Sequence, residues 1–195
     1  MTVHLPRHPQ VLLSQDSALL IVDVQTKLVG LIPDRQSLVW NLERLTDGAA
    51  HFEVPILATE QYPRGLGGTV EELRDRVGQP TPKDHFSCGV LGDMFLKLQD
   101  GGRSKLVVAG IETHVCVLQT VLDLLTTDFD VYVVVDAVGS RHRLDHEVAL
   151  RRMESQGAVL VTTESVLFEW CEQSGTPQFR KVSELIRQLP PKPAL

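Results

Sequence analysis

The 195-residue chain has three cysteines, Cys88, Cys116 and Cys171, and none is spaced as CxxC. An odd, scattered set argues against both a disulfide framework and a thiolate zinc knuckle, and points to a reducing, cytoplasmic compartment. No run of Lys or Arg occurs and the formal net charge is −6. The electrostatic footprint of a nucleic-acid binder or a basic membrane-surface helix is therefore missing. No window approaches the roughly 20 consecutive apolar residues needed to cross a bilayer. The opening MTVHLPRHPQ lacks the apolar stretch of a signal peptide. The glycine clusters GLGG (65–68) and GVLG (89–92) match neither GxGxxG nor a Walker loop ending in Gly-Lys-Ser/Thr, so no phosphate cradle is expected. Internal repeats, low-complexity tracts and domain linkers are absent as well.

What the chain does have is a series of short apolar runs alternating with longer stretches of helical periodicity. SALLIVDV (17–24), VPILATE (54–60), KLVVAG (105–110), VYVVVDA (131–137) and AVLVTT (158–163) are rich in Val, Ile and Leu without polar alternation, as strands buried on both faces are. QSLVWNLERLTDGAAHF, THVCVLQTVLDLLTT and HRLDHEVALRRMESQ repeat apolar residues at three- and four-residue spacing and read as crossover helices. DHFS (84–87) is a weaker sixth strand. These patterns predict one α/β domain over 1–195, with a mainly parallel six-stranded sheet covered by helices on both faces. Residues 1–14 form an N-terminal arm and PPKPAL (190–195) a frayed tail.

Open α/β sheets bind ligands beyond the carboxyl ends of their strands. Asp23 ends the first strand, Lys83 precedes the weak strand, and Cys116 follows KLVVAG by a tight bend. Singly, these residues read equally as a loop cap, a solvated surface charge and a gap-filling thiol. Together they supply a thiol, a carboxylate able to take its proton, and an ammonium and helix N-terminus expected to favour a thiolate.

The segments LLIVDVQ, PKDHFS, GIETHVCV and VVVDAVGSR, in that order over nearly the whole chain, resemble the isochorismatase-like cysteine hydrolases, whose relatives include nicotinamidases and N-carbamoyl amide hydrolases. TEQYPRGLGGTVEEL is similar to the small isochorismatase-domain-containing proteins. The resemblance implies a catalytic triad of Asp23, Lys83 and Cys116. It also implies a cis peptide between Ile111 and Glu112, and an oxyanion hole of the Glu112 and Cys116 backbone N–H groups. Vinyl-ether-cleaving members usually lack the cysteine, so the implied activity is amidohydrolase-like cleavage of a small amide or ureide through a Cys116 acyl-enzyme. Homo-oligomerisation is implied too.

Metal-bearing nicotinamidases carry Asp-x-His after the second strand, where this chain has ATEQYPRG, so no metal and no other cofactor is expected. Glu60, Gln61 and Tyr62 are instead candidates for substrate contact. His142 and His146, at helical i, i+4 spacing, read as a solvated face rather than a ligand pair. His85 is expected to share a strand face with Lys83. His85 and His114 both read as capping or packing residues, and Cys88 as a spectator thiol. Two other readings use the same residues: a silent binding or scaffold protein, and a thiol redox protein in which Cys116 forms a sulfenic acid resolved by Cys88.

Overall fold

A computed structural model describes residues 5–191. Six strands, β1 (Ser17–Val22), β2 (Ile56–Gln61), β3 (Thr81–Lys83), β4 (Lys105–Ile111), β5 (Asp130–Gly139) and β6 (Val159–Val161), form one sheet in the order β3-β2-β1-β4-β5-β6. All neighbouring pairs run parallel. The strand order reverses between β1 and β4, and the crevice beyond their carboxyl ends is where a doubly wound sheet binds ligands.

Among the described residues nine α-helices accompany the strands, the last two following β6. They are α1 (Thr26–Val29), α2 (Arg35–His51), α3 (Pro63–Leu66), α4 (Glu71–Arg74), α5 (Gly92–Asp100), α6 (Leu118–Leu124), α7 (Arg143–Ser155), α8 (Thr163–Cys171) and α9 (Pro177–Ile186). Successive strand residues point to opposite faces, and both faces are covered. Leu19, Ile21, Val107, Ala109, Tyr132 and Val134 pack under α2, α8 and α9. Leu20, Val22, Leu106, Val108, Val131 and Val133 pack under α5, α6 and α7. The unbroken apolar runs follow directly, because neither side of a central strand meets water. Among the described residues, no helix is long and apolar enough to cross a membrane.

Three expectations need correction. The sixth strand is Thr81–Lys83, not 84–87: the Lys83 ammonium gathers the carbonyls of His85 and Phe86, which curls the chain away from the sheet just after the lysine. His85 therefore lies in a bend with its side chain exposed, not on a strand face beside Lys83. The segment starting at Thr113 does not open as an α-helix; residues Thr113–Val117 form a wider π turn before α6.

The arm is docked where it is described. Leu12 is fully buried and its N–H donates to Glu169, while the Gln10 carbonyl accepts from the Tyr132 hydroxyl. Most of the expected tail, 192–195, lies outside the described residues.

Two irregularities shape the carboxyl edge of the sheet. Gly110 has φ +119°, and a Cβ there would lie 2.1 Å from the Val22 carbonyl oxygen, so only glycine lets β4 pass the end of β1 this closely. In β5, Val133 pairs with Val108 but Val138 pairs with Gly110, leaving extra residues in β5 across the break. Asn41 and Thr163 hold that bulge by hydrogen bonds to the Asp136 carbonyl and carboxylate.

Candidate active site

Asp23 sits immediately beyond β1 with φ +51°, a left-handed turn that Asp tolerates better than most residues. Lys83 ends the edge strand β3 and reaches inward to it. Their side chains are 0% exposed, and Nζ lies 2.6 Å from the Asp23 Oδ2. Lys83 also donates to Gln61 Oε1 at 2.8 Å, the Phe86 carbonyl at 2.9 Å and the His85 carbonyl at 3.2 Å. An ammonium has three N–H groups. With four acceptors around them none is spare for sulfur, so Lys83 acts on the thiol through its charge alone.

Cys116 lies in the π turn, 5% exposed. The Ile111–Glu112 peptide preceding the turn is cis. Burial pushes the Cys116 thiol well above its ordinary range; the neighbouring Asp23 carboxylate adds to the rise, and Lys83 offsets only part of it. This corrects the expectation of a resting thiolate. Desolvation disfavours the charged form more than one already-paired ammonium favours it, so the neutral thiol is the favoured resting form.

The three residues meet because β1, β2 and β3 are neighbours and β4 lies on the other side of β1. Sequence reasoning had no signal for that adjacency and so missed the supports around the triad. Thr59 and Gln61, alternate residues of β2, point to the same side: Thr59 Oγ1 donates to Asp23 Oδ1 at 2.8 Å, and the Gln61 side chain bridges Lys83 and the Asp84 carbonyl. Their i, i+2 spacing was the available clue. Gln25 fixes the same corner, accepting from the Gln61 N–H at 2.8 Å and donating to the Gly67 carbonyl at 2.6 Å.

The substrate-contact trio separates accordingly. Gln61 is committed to Lys83, and the Glu60 carboxylate accepts from the N–H and hydroxyl of Thr69, so both serve the scaffold. Tyr62 is 54% exposed, with Phe86 at 52% on the next loop, and each is tied by its backbone to Lys83.

Three consecutive residues anchor the Cys116 turn to the segment after β5. The Glu112 carboxylate accepts from the Arg141 backbone N–H and guanidinium at 3.0–3.1 Å. Thr113 Oγ1 lies 3.0 Å from His146 Nδ1, and His114 Nδ1 lies 3.0 Å from Ser140 Oγ. His146 is thus half-buried and engaged rather than part of a solvated face, and burial lowers its pKa so that it stays neutral. Among the described residues no cluster of three metal-ligating side chains occurs. A cavity of about 450 Å³ behind this segment is lined by Ile32, Leu38, Val138, Ser140 and His146 but by none of the triad. The buried Asp23–Lys83 pair and the adjoining Cys116 turn, not that cavity, define the candidate site.

The family model described as Isochorismatase domain matches residues 17–165. Isochorismatase domain-containing protein 2A of Mus musculus is 38% identical over 187 residues, covering 94% of this chain and 89% of that protein. Among solved structures, the MAR1 ribonuclease of Caenorhabditis elegans is similar at TM-score 0.84 and 37% identity, covering 94% of this chain and 96% of that one. The YcaC gene product of Escherichia coli, described as an octameric hydrolase of unknown specificity, is similar at TM-score 0.84 and 26% identity, covering 93% and 91%. The fold and the site together define an isochorismatase-like hydrolase architecture. The chain belongs to the isochorismatase family.

Proposed function

We propose that this protein is a cysteine hydrolase that cleaves a C–N bond of a small amide or ureide through a covalent Cys116 intermediate. The observation that carries the reading is a buried cysteine beside a carboxylate that is itself locked by a buried ammonium. As the Cys116 sulfur attacks the carbonyl carbon, its proton passes to Asp23, and Lys83 keeps a positive charge beside the pair. The oxygen that becomes negative is received by the Glu112 and Cys116 backbone N–H groups. Asp23 then gives the proton to the departing nitrogen as the C–N bond breaks, leaving an acyl thioester. Water, deprotonated by Asp23, releases the acid and regenerates the thiol. Tyr62 contacts the substrate at the rim. The raised thiol pKa disfavours the peroxide-reactive thiolate that a redox role needs.

The protein works on a small molecule in the cytoplasm, without a metal, and as a homo-oligomer, a state supported by the octamer described for the Escherichia coli relative. RNA is not its substrate, as the net charge of −6 without a basic run argues. The test is incubation with a panel of amides and ureides followed by intact-mass analysis. An acyl adduct mapping to Cys116 and absent from Cys116→Ala is expected. A folded wild type that forms no adduct and turns over no member of the panel would sink the proposal.

A further inference from the structure

Two buried groups beside the triad have no part in the chemistry above. Thr59, 1% exposed, donates its hydroxyl to Asp23 Oδ1 at 2.8 Å. Cys88, 0% exposed, holds its Sγ 3.7 Å from that same hydroxyl oxygen, and its backbone N–H is pinned to Thr120 Oγ1 at 2.9 Å. A hydroxyl has one hydrogen and an ionised carboxylate only accepts. The Thr59 hydrogen therefore lies on Asp23, and the Thr59 oxygen is left to accept from the Cys88 S–H. The result is a short chain of donors, Cys88 to Thr59 to Asp23 Oδ1, while Lys83 occupies Oδ2.

With one donor on each oxygen, the carboxylate cannot rotate without breaking a bond, and an acceptor lone pair remains for the Cys116 thiol. We propose that Thr59, oriented by Cys88, is a positioning residue for proton transfer: it fixes the rotation of the Asp23 carboxylate toward Cys116. The inference rests on Cys116 being the nucleophile. Cys88 is on this view not a spectator but the outer end of the chain that sets which way the Thr59 hydrogen points. The titratable groups facing Asp23 are Lys83 from β3, Cys116 from the π turn and Cys88 from the turn after β3. All three are unchanged in a Thr59 variant.

The experiment is the pH dependence of Cys116 alkylation by iodoacetamide, read by peptide mass, in wild type, Thr59→Val, Thr59→Ser and Cys88→Ala. Base assistance from Asp23 gives the wild type a mid-pH plateau that falls away on the acid side. Losing a hydroxyl donor makes a buried carboxylate hold its charge less well, so Thr59→Val moves the acid limb to higher pH by about one unit, or about tenfold in rate on the limb. Thr59→Ser returns the limb to its wild-type place, and Cys88→Ala displaces it in the same direction by less. A folded Thr59→Val whose profile overlays the wild type overturns the inference, since a core-filling threonine alters melting but not this profile. Where Thr59→Val does not fold, Cys88→Ala decides: displacement supports the chain of donors, and overlay refutes it. A wild type whose Cys116 is unreactive at every pH refutes the nucleophile assignment itself, a separable failure.

Discussion

Replacing Lys83 by methionine keeps most of its volume and, among the described residues, removes the only cation within bonding distance of Asp23. Both side chains are fully buried and the pair is 2.6 Å long, so the variant is left with an uncompensated carboxylate out of water. Breaking a buried pair in this way typically costs about 3–5 kcal/mol, or roughly 6–20 °C of melting temperature for a domain of this size. Removing both partners leaves no charge to bury, so Asp23→Asn/Lys83→Met recovers most of that loss. A urea-unfolding double-mutant cycle at fixed protomer concentration measures the coupling. The deficit of Lys83→Met also narrows as the pH is lowered, because protonating the lone carboxylate removes the buried charge. A single-variant loss below about 1 kcal/mol with zero coupling matches an exposed ion pair and would refute the reasoning.

Alkaline stability follows from the raised thiols: the unfolded chain releases Cys protons from about pH 8.5, whereas folded Cys116 and Cys88 retain theirs, so stability falls as pH rises past that value. Tyr132, pushed up to about 12, steepens the loss at higher pH. Cys116→Ala flattens the slope in a pH series of urea midpoints, and an unchanged slope counts against the buried neutral thiol. Gly110→Ala places a Cβ 2.1 Å from backbone at φ +119° and prevents soluble expression; a wild-type melting curve contradicts the close strand approach. Arg141→Ala frees Glu112 and the turn behind Cys116, costing about 1 kcal/mol in stability because the guanidinium is half-exposed, with a larger loss of turnover. Equal small losses in both measurements contradict its anchoring role. Turnover, once a substrate is found, survives exhaustive chelation, and a loss restored by zinc or manganese overturns the metal-free reading.

The strands from Ser17, Ile56, Lys105, Asp130 and Val159 were legible because a strand covered on both faces has no position for a polar residue. β3 was not, since three residues with Pro82 at their centre carry no apolar run. It exists because the edge of a sheet accepts a residue without an N–H and because β2 offers it partners. The positions of Asp23, Lys83 and Cys116 could be read from strand ends and motif order. Their surroundings could not, because Thr59, Gln61 and Cys88 reach the triad only through the lateral order of strands, which local periodicity does not encode.

The thiol shows why residue types alone misled. Cysteine near lysine and a helix start suggests a thiolate when each influence is counted with equal weight. In the folded protein the lysine is already neutralised by a carboxylate at 2.6 Å, and the sulfur is buried beside that pair. A pre-formed thiolate beside Asp23 would put two negative charges against one positive. In the proposed mechanism the neutral arrangement keeps the proton on sulfur and the negative charge on oxygen until a carbonyl carbon is there to take the sulfur's electrons. Such a site spends little time as a reactive anion. The proposed reaction gains from the same burial, because the low dielectric that raises the thiol's pKa also strengthens hydrogen bonds offered to a transition state.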